Sequence, residues 1–174
     1  MELFIVFALF FGSIICIFLA AKSILNIKER KDETRKQYDA MFSGKLKHID
    51  GLQLACGVIV DVFYGDNYIT IKKDKQEFSL LYDKIVDIDC VTGKEIKSQQ
   101  ATGAIAGKMV LGGSAGAIIG ALASTTTYLV ISYRSNGEYK CLIFDTYVSG
   151  TFALKVVKNF KKSNENKQVE NIEL

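Results

Sequence analysis

Residues 3–21 form an unbroken apolar run, LFIVFALFFGSIICIFLAA, with charge only outside it at Glu2 and Lys22. A helix rises about 1.5 Å per residue and a bilayer core is about 30 Å thick, so about 20 such residues span it. The run predicts a transmembrane anchor over 1–21. A cleaved signal peptide fits less well, because it needs a basic leader, a shorter apolar stretch and a small residue three places before the cut. Met1-Glu2 holds no Lys or Arg, and Phe18 and Leu19 are too bulky for that place. Lys22, Lys28, Arg30, Lys31, Arg35 and Lys36 all follow the run, and none precedes it. Lys and Arg near a membrane end stay cytoplasmic. The expected location is therefore the cell membrane, single-pass, with the N-terminus outside and the C-terminal domain cytoplasmic.

Those six basic residues are the candidate membrane-surface set, each contributing about 1 kcal/mol beside anionic lipid. Asp32 and Glu33 lie among them and favour reading 22–43 as a solvated helical stalk with i,i+4 ion pairs. Ala8, Gly12, Cys16 and Ala20 recur every four positions. That puts small residues on one helix face, where a second helix can approach closely.

A chain of 174 residues leaves room beyond the anchor for one domain of ordinary size. A formal charge of +3 is too weak to argue for a nucleic-acid partner. Cys16, Cys56, Cys90 and Cys141 form no C-x-x-C pair, and His48 is the single histidine. Zinc needs clustered ligands, so no metal and no cofactor is expected. His48 reads as a surface or structural residue. Asp87 and Asp89 sit two apart on one strand face, where they read as a solvated edge or as a cation pair.

From Leu52 the pattern shortens to strand-like runs. Residues 54–63, 68–72, 77–81, 84–90, 128–133 and 138–145 are β-branched or alternating and are separated by Gly, Asp and Asn. Asn136-Gly137 is the strongest short hairpin signal, because both residues tolerate positive φ. A helix then follows Val148-Ser149-Gly150-Thr151, with Phe152, Ala153, Leu154, Val156, Val157 and Phe160 on its apolar side. The tail over 163–174 reads as polar and disordered.

This order predicts an α+β fold: an N-terminal transmembrane helix, then a small antiparallel β-barrel or sandwich of about six strands. A glycine-rich helical insert interrupts the strands and a C-terminal amphipathic helix closes them. The expected segments are 1–21, 22–43, 44–162 and 163–174. The chain resembles the pleckstrin-homology and GRAM-like domains, and more narrowly small membrane-anchored proteins of Gram-positive bacteria that carry one. The resemblance rests on His48-Ile49-Asp50-Gly51-Leu52, Phe78-Ser79-Leu80 leading into Lys84-Ile85-Val86, the glycine-rich insert, Leu129-Val130-Ile131-Ser132-Tyr133 and Leu142-Ile143-Phe144-Asp145. It spans roughly 45–162 and implies a binding module without catalytic residues. Lipid-binding members use a basic first hairpin, and this chain has Gly65-Asp66-Asn67 there.

The insert, 101–124, reads ATGAIAGKMVLGGSAGAIIGALAS. Gly103 and Gly107 are four apart, and Gly112, Gly116 and Gly120 repeat that spacing. Glycine costs about 1 kcal/mol against alanine in a helix, so such a stripe usually has a packing reason. A phosphate loop fails twice, at Thr102 and at Met109. A single membrane crossing here would separate the strands on either side. The segment therefore reads as a hairpin packed within the domain, as a surface for self-assembly, or as a shallow membrane insertion.

No acid–base or nucleophilic constellation is present. The function expected is that of a non-enzymatic single-pass membrane protein whose cytosolic domain binds a partner or scaffolds, with glycine-mediated packing or oligomerisation. The alternative is a membrane-active oligomer whose insert enters the bilayer. Expected partners are membrane lipid, a second copy of the chain, and a protein of unknown identity.

Overall fold

The computed structural model describes residues 2–102 and 122–170, with side-chain surroundings for 17–23, 25–98 and 122–165. The chain divides into two compact units, Met1–Ala40 and Met41–Leu174.

The first unit is one long helix, α1 (Glu2–Gln37). Among the described residues, no helix is long and apolar enough to cross a membrane. This corrects the expected fold class, and with it the single-pass, cell-membrane location with the N-terminus outside. Of the apolar run, the side chains of 17–21 are among those whose surroundings are described, and all five are exposed. The rest of the apolar run, 3–16, lies outside the residues whose side chains are described.

Among the described residues, the second unit is an antiparallel sheet with two α-helices. Its elements are β1 (Ala40–Asp50), β2 (Ile59–Gly65), β3 (Tyr68–Lys73), β4 (Gln76–Leu81), a 3-10 turn (Tyr82–Lys84), β5 (Ile85–Thr92), α2 (Gly93–Thr102), β6 (Thr127–Ser135), β7 (Glu138–Asp145) and α3 (Gly150–Glu170). The strand order is β4-β3-β2-β1-β7-β6-β5. The α+β class with an antiparallel sheet is present, with seven strands. The added strand, β1, begins inside the stretch that reads as a stalk, and α3 runs on through most of the stretch that reads as a tail.

Flat, seven strands about 4.8 Å apart would span about 29 Å. Yet one apolar cluster takes Leu80 from the β4 edge, Ile85 and Ile88 from the β5 edge, and residues of every strand between. The sheet therefore curls, and Phe152, Ala153, Val156 and Phe160 of α3 fill its concave side. Burying each of the larger three contributes about 1.5–3 kcal/mol. A register shift between Ile85 and Asp87 lets Ile85 and Ile88, three apart, face the same core.

The half-sheet β5-β6-β7-β1 is apolar on both faces. Leu129 and Ile131, with Leu142 and Phe144, point into the main core. Tyr128, Cys141 and Ile143 build a second cluster with Ile49, Ile96 and Leu122, and Val130 packs against it. This is why 128–131 and 141–144 read as continuous apolar runs rather than alternating ones. The β6–β7 hairpin turns at Asn136 (φ 54°) and Gly137 (φ 81°), as its sequence predicts.

β1 was hard to read because Gly44 interrupts its apolar face. The glycine makes room for α3: a Cβ there would lie 2.3 Å from the Phe152 ring. Phe42 packs beside that ring, at 5.8 Å between centroids, and stacks on Tyr64 at 4.7 Å. We expect Gly44→Ala to destabilise the chain by about 1–3 kcal/mol through overpacking. Urea unfolding measures this, and an unchanged midpoint would contradict the packing described.

Candidate functional site at the neck of the glycine-rich segment

The last turn of β5 leads directly into α2 through Thr92-Gly93-Lys94-Glu95. This is a capping box. The Thr92 amide donates to Glu95 Oε2 at 2.6 Å, the Thr92 hydroxyl donates to the same oxygen at 2.8 Å, and the Glu95 amide donates to Thr92 Oγ1 at 3.2 Å. Hydrogen bonds from the Thr92 amide and then its hydroxyl hold the Glu95 carboxyl below its ordinary value.

The chain returning from the glycine-rich segment is tied to this entry. The Gly93 amide donates to the Thr126 carbonyl at 3.0 Å, and the Lys94 amide to the Ser124 carbonyl at 3.1 Å. The Ala123 amide donates to the Tyr128 hydroxyl at 3.1 Å. Ile96 from α2 and Leu122 from the returning chain are both buried in the second cluster. β5 then pairs with β6 from Thr92↔Thr127 down to Ile85↔Tyr133. Further back, the Thr146 hydroxyl donates to the Thr127 carbonyl at 2.8 Å. The first turn of α2 and the chain returning at 122–127 are thus fastened side by side at one end of the sheet. Gly93 is required for space: a Cβ would come within 2.2 Å of the Ala123 carbonyl oxygen.

Gly103, Gly107, Gly112, Gly116 and Gly120 lie outside the described residues. So do the side chains of Ala8, Gly12 and Cys16 on α1, whereas Ala20 is exposed there. Lys22, Lys28, Arg30, Lys31 and Lys36 are exposed on α1, and Arg35 is half-buried and pairs with Asp32 at 3.3 Å. Leu19, Lys22, Ser23, Asn26, Ile27 and Arg30 line a shallow open groove along this single helix.

His48 proves to be a structural hub. It is 1% exposed. Its Nδ1 lies 3.2 Å from the Ala55 carbonyl, and its Nε2 accepts from the Leu52 amide at 3.2 Å. That pair of partners requires the neutral ring with its proton on Nδ1. The His48 backbone adds an amide bond to Val58 and a carbonyl bond from Gly57. One residue therefore ties down the 51–58 loop.

Asp89 is committed as well. Its Oδ1 accepts from the Cys90 amide at 3.0 Å and from Lys161 Nζ at 3.1 Å, joining β5 to α3. Among the described residues no three His, Cys, Asp or Glu side chains are grouped to hold a metal. Burial pushes the Cys141 thiol up to about 12 and the Cys90 thiol up to about 11. Thiols so raised are poor nucleophiles at neutral pH.

No signal in the sequence marked Tyr64 and Tyr82. Burial raises both phenols above their ordinary value. Tyr82 donates to the Gly65 carbonyl at 2.6 Å, and the fully buried Tyr64 phenol lies beside it. No family model, curated protein or solved structure matches the chain.

Two outcomes test the neck. Gly93→Ala should lower the urea midpoint, because the Cβ forces Ala123 away and breaks the entry–return bonds; an unchanged midpoint would show that the neck is loose. Glu95 carries a depressed folded value, so its contribution is present above its ordinary value of 4.5 and is lost as pH falls through the folded value. Glu95→Gln should therefore be less stable than the parent at pH 7, with the gap closing as the solution is acidified below about 4.5. Melting curves at each pH measure it.

Proposed function

We propose that the chain is a non-enzymatic binding and assembly module of the pleckstrin-homology-like kind. Its β body binds a protein partner, and its glycine-rich segment packs backbone to backbone against a second copy. The observation that carries this reading is the neck. Hydrogen bonds, a capping box and the buried Ile96 and Leu122 hold the start of α2 and the chain returning at 122–126 side by side on a half-sheet that is apolar on both faces. A rigid body that carries a variable-purpose segment on a fastened base is the usual way folds present a recognition element.

Two further features support the reading. The antiparallel strands closed by a C-terminal helix, which the resemblance implies, are in keeping with this reading, though the strands number seven rather than about six. The glycines at four-residue spacing give small-residue faces suited to close helix contact.

Light scattering on the full chain tests it. The parent should measure above the monomer mass, and Gly107→Leu or Gly116→Leu should lower that mass, because a bulky side chain holds the backbones apart. A monomeric parent, or leucine variants that keep the parent's mass and melting temperature, would overturn the assembly half of the proposal.

A further inference from the structure

The outward side of α3 carries a feature that neither the core nor the neck uses. At 100° per residue, Thr151, Leu154, Lys158, Lys161, Lys162 and Glu165 fall within a stripe about 100° wide. The stripe lies opposite the buried Phe152, Ala153, Val156 and Phe160. Leu154 is 61% exposed in the middle of this charged row. At the foot of the helix Tyr147 is 91% exposed and Val148 is exposed beside it. The Tyr147 amide is fixed by Asp145 Oδ1 at 2.8 Å, so the tyrosine is displayed from a set position.

The lysines differ in how they are occupied. Lys161 is held by Asp89 at 3.1 Å. Lys155 lies over the Phe42 ring at 4.6 Å. Lys158 and Lys162 are exposed, four residues apart, and pair with no acid among the described residues. The surface thus offers three apolar contacts, Tyr147, Val148 and Leu154, followed by two unneutralised cations one helical turn apart.

We propose that this face docks an acidic peptide segment of a partner protein. An apolar side chain of the segment would seat on Tyr147, Val148 and Leu154, and two carboxylates at one-turn spacing would meet Lys158 and Lys162. Tyrosine is among the residue types enriched at the energetic centres of protein interfaces. Opposed charges set register and orientation. The free cations stand in single file over about 6 Å of helix. Anionic lipid surfaces instead draw clusters of four to eight basic residues. This names the partner class for the β body, and so it rests on the binding half of the function proposed above.

The test uses the full chain and a fluorescein-labelled twelve-residue peptide with glutamates one turn apart and a leucine and a phenylalanine as anchors. Its glutamine analogue is the control. Anisotropy should show saturable binding of the glutamate peptide, about tenfold or more tighter than the glutamine analogue and weakened by salt. The Lys158→Glu, Lys162→Glu double variant should lose about tenfold or more, and Leu154→Ser should also weaken binding. The milder Lys158→Gln, Lys162→Gln pair guards against a folding defect, and melting curves check both. Absence of binding to the parent would overturn the proposal, as would equal affinity in the charge variants. So would uptake by vesicles of phosphatidylcholine and phosphatidylglycerol that depends on Lys158 and Lys162 while the peptide goes unbound, since the occupant would then be lipid. The titration reads α3, whereas the mass of the glycine variants reads the segment 103–121, so each reading can fail without the other.

Discussion

A single apolar core, shared by both edges of a curled sheet, is the constraint on which the body depends. Leu80 at one edge and Ile85 and Ile88 at the other reach it only if the strands bend round α3. Phe152 and Phe160 fill the concave side, with Phe160 edge-on to Tyr82 at 6.2 Å. The fit is close enough that Gly44 must lack a side chain. Tyr64 is fully buried in this core and stacks on Phe42 at 4.7 Å.

The second consequence of that core is a half-sheet with work on both faces. β5, β6, β7 and β1 face the main core inward and a smaller cluster outward. Only because the outer face is apolar do Ile96 and Leu122 find a seat, and only because they are seated does the glycine-rich segment have a firm base. Asp89 serves this same region, tying the β5 edge to α3 through Lys161. Charged groups on an edge strand, Asp87 and Asp89 here, also discourage unwanted strand addition. The body thus fastens the start of α2 to the chain returning at 122–127, and it leaves Leu154, Lys158 and Lys162 of α3 exposed.

Much of the fold is legible in short stretches. The hairpin at Asn136-Gly137, the strands from β3 to β7 and the apolar side of α3 all follow from local pattern. β1 is not legible, because Gly44 breaks its alternation for a reason that lies more than a hundred residues away, at Phe152. His48 is named by the sequence as a surface or structural residue, but its role depends on carbonyl and amide groups of a loop whose path the strand pairing sets. The apolar run at 3–21 raised an expectation of a membrane span that the described part of α1 does not support. Of the candidate site, the Thr92–Glu95 spacing is visible as a capping box, whereas the entry–return bonds at Gly93 and Lys94 are not.

By itself the sequence determined the strands from β3 to β7, the hairpin at Asn136-Gly137 and the apolar side of α3, because these depend on side-chain period and turn chemistry within a few residues. Only the tertiary structure decided the strand order, the two-faced half-sheet and the closed neck. It also decided which lysines of α3 are neutralised. Those features join residues distant in the chain, and the packing that selects among the possible pairings exists only once the sheet has curled.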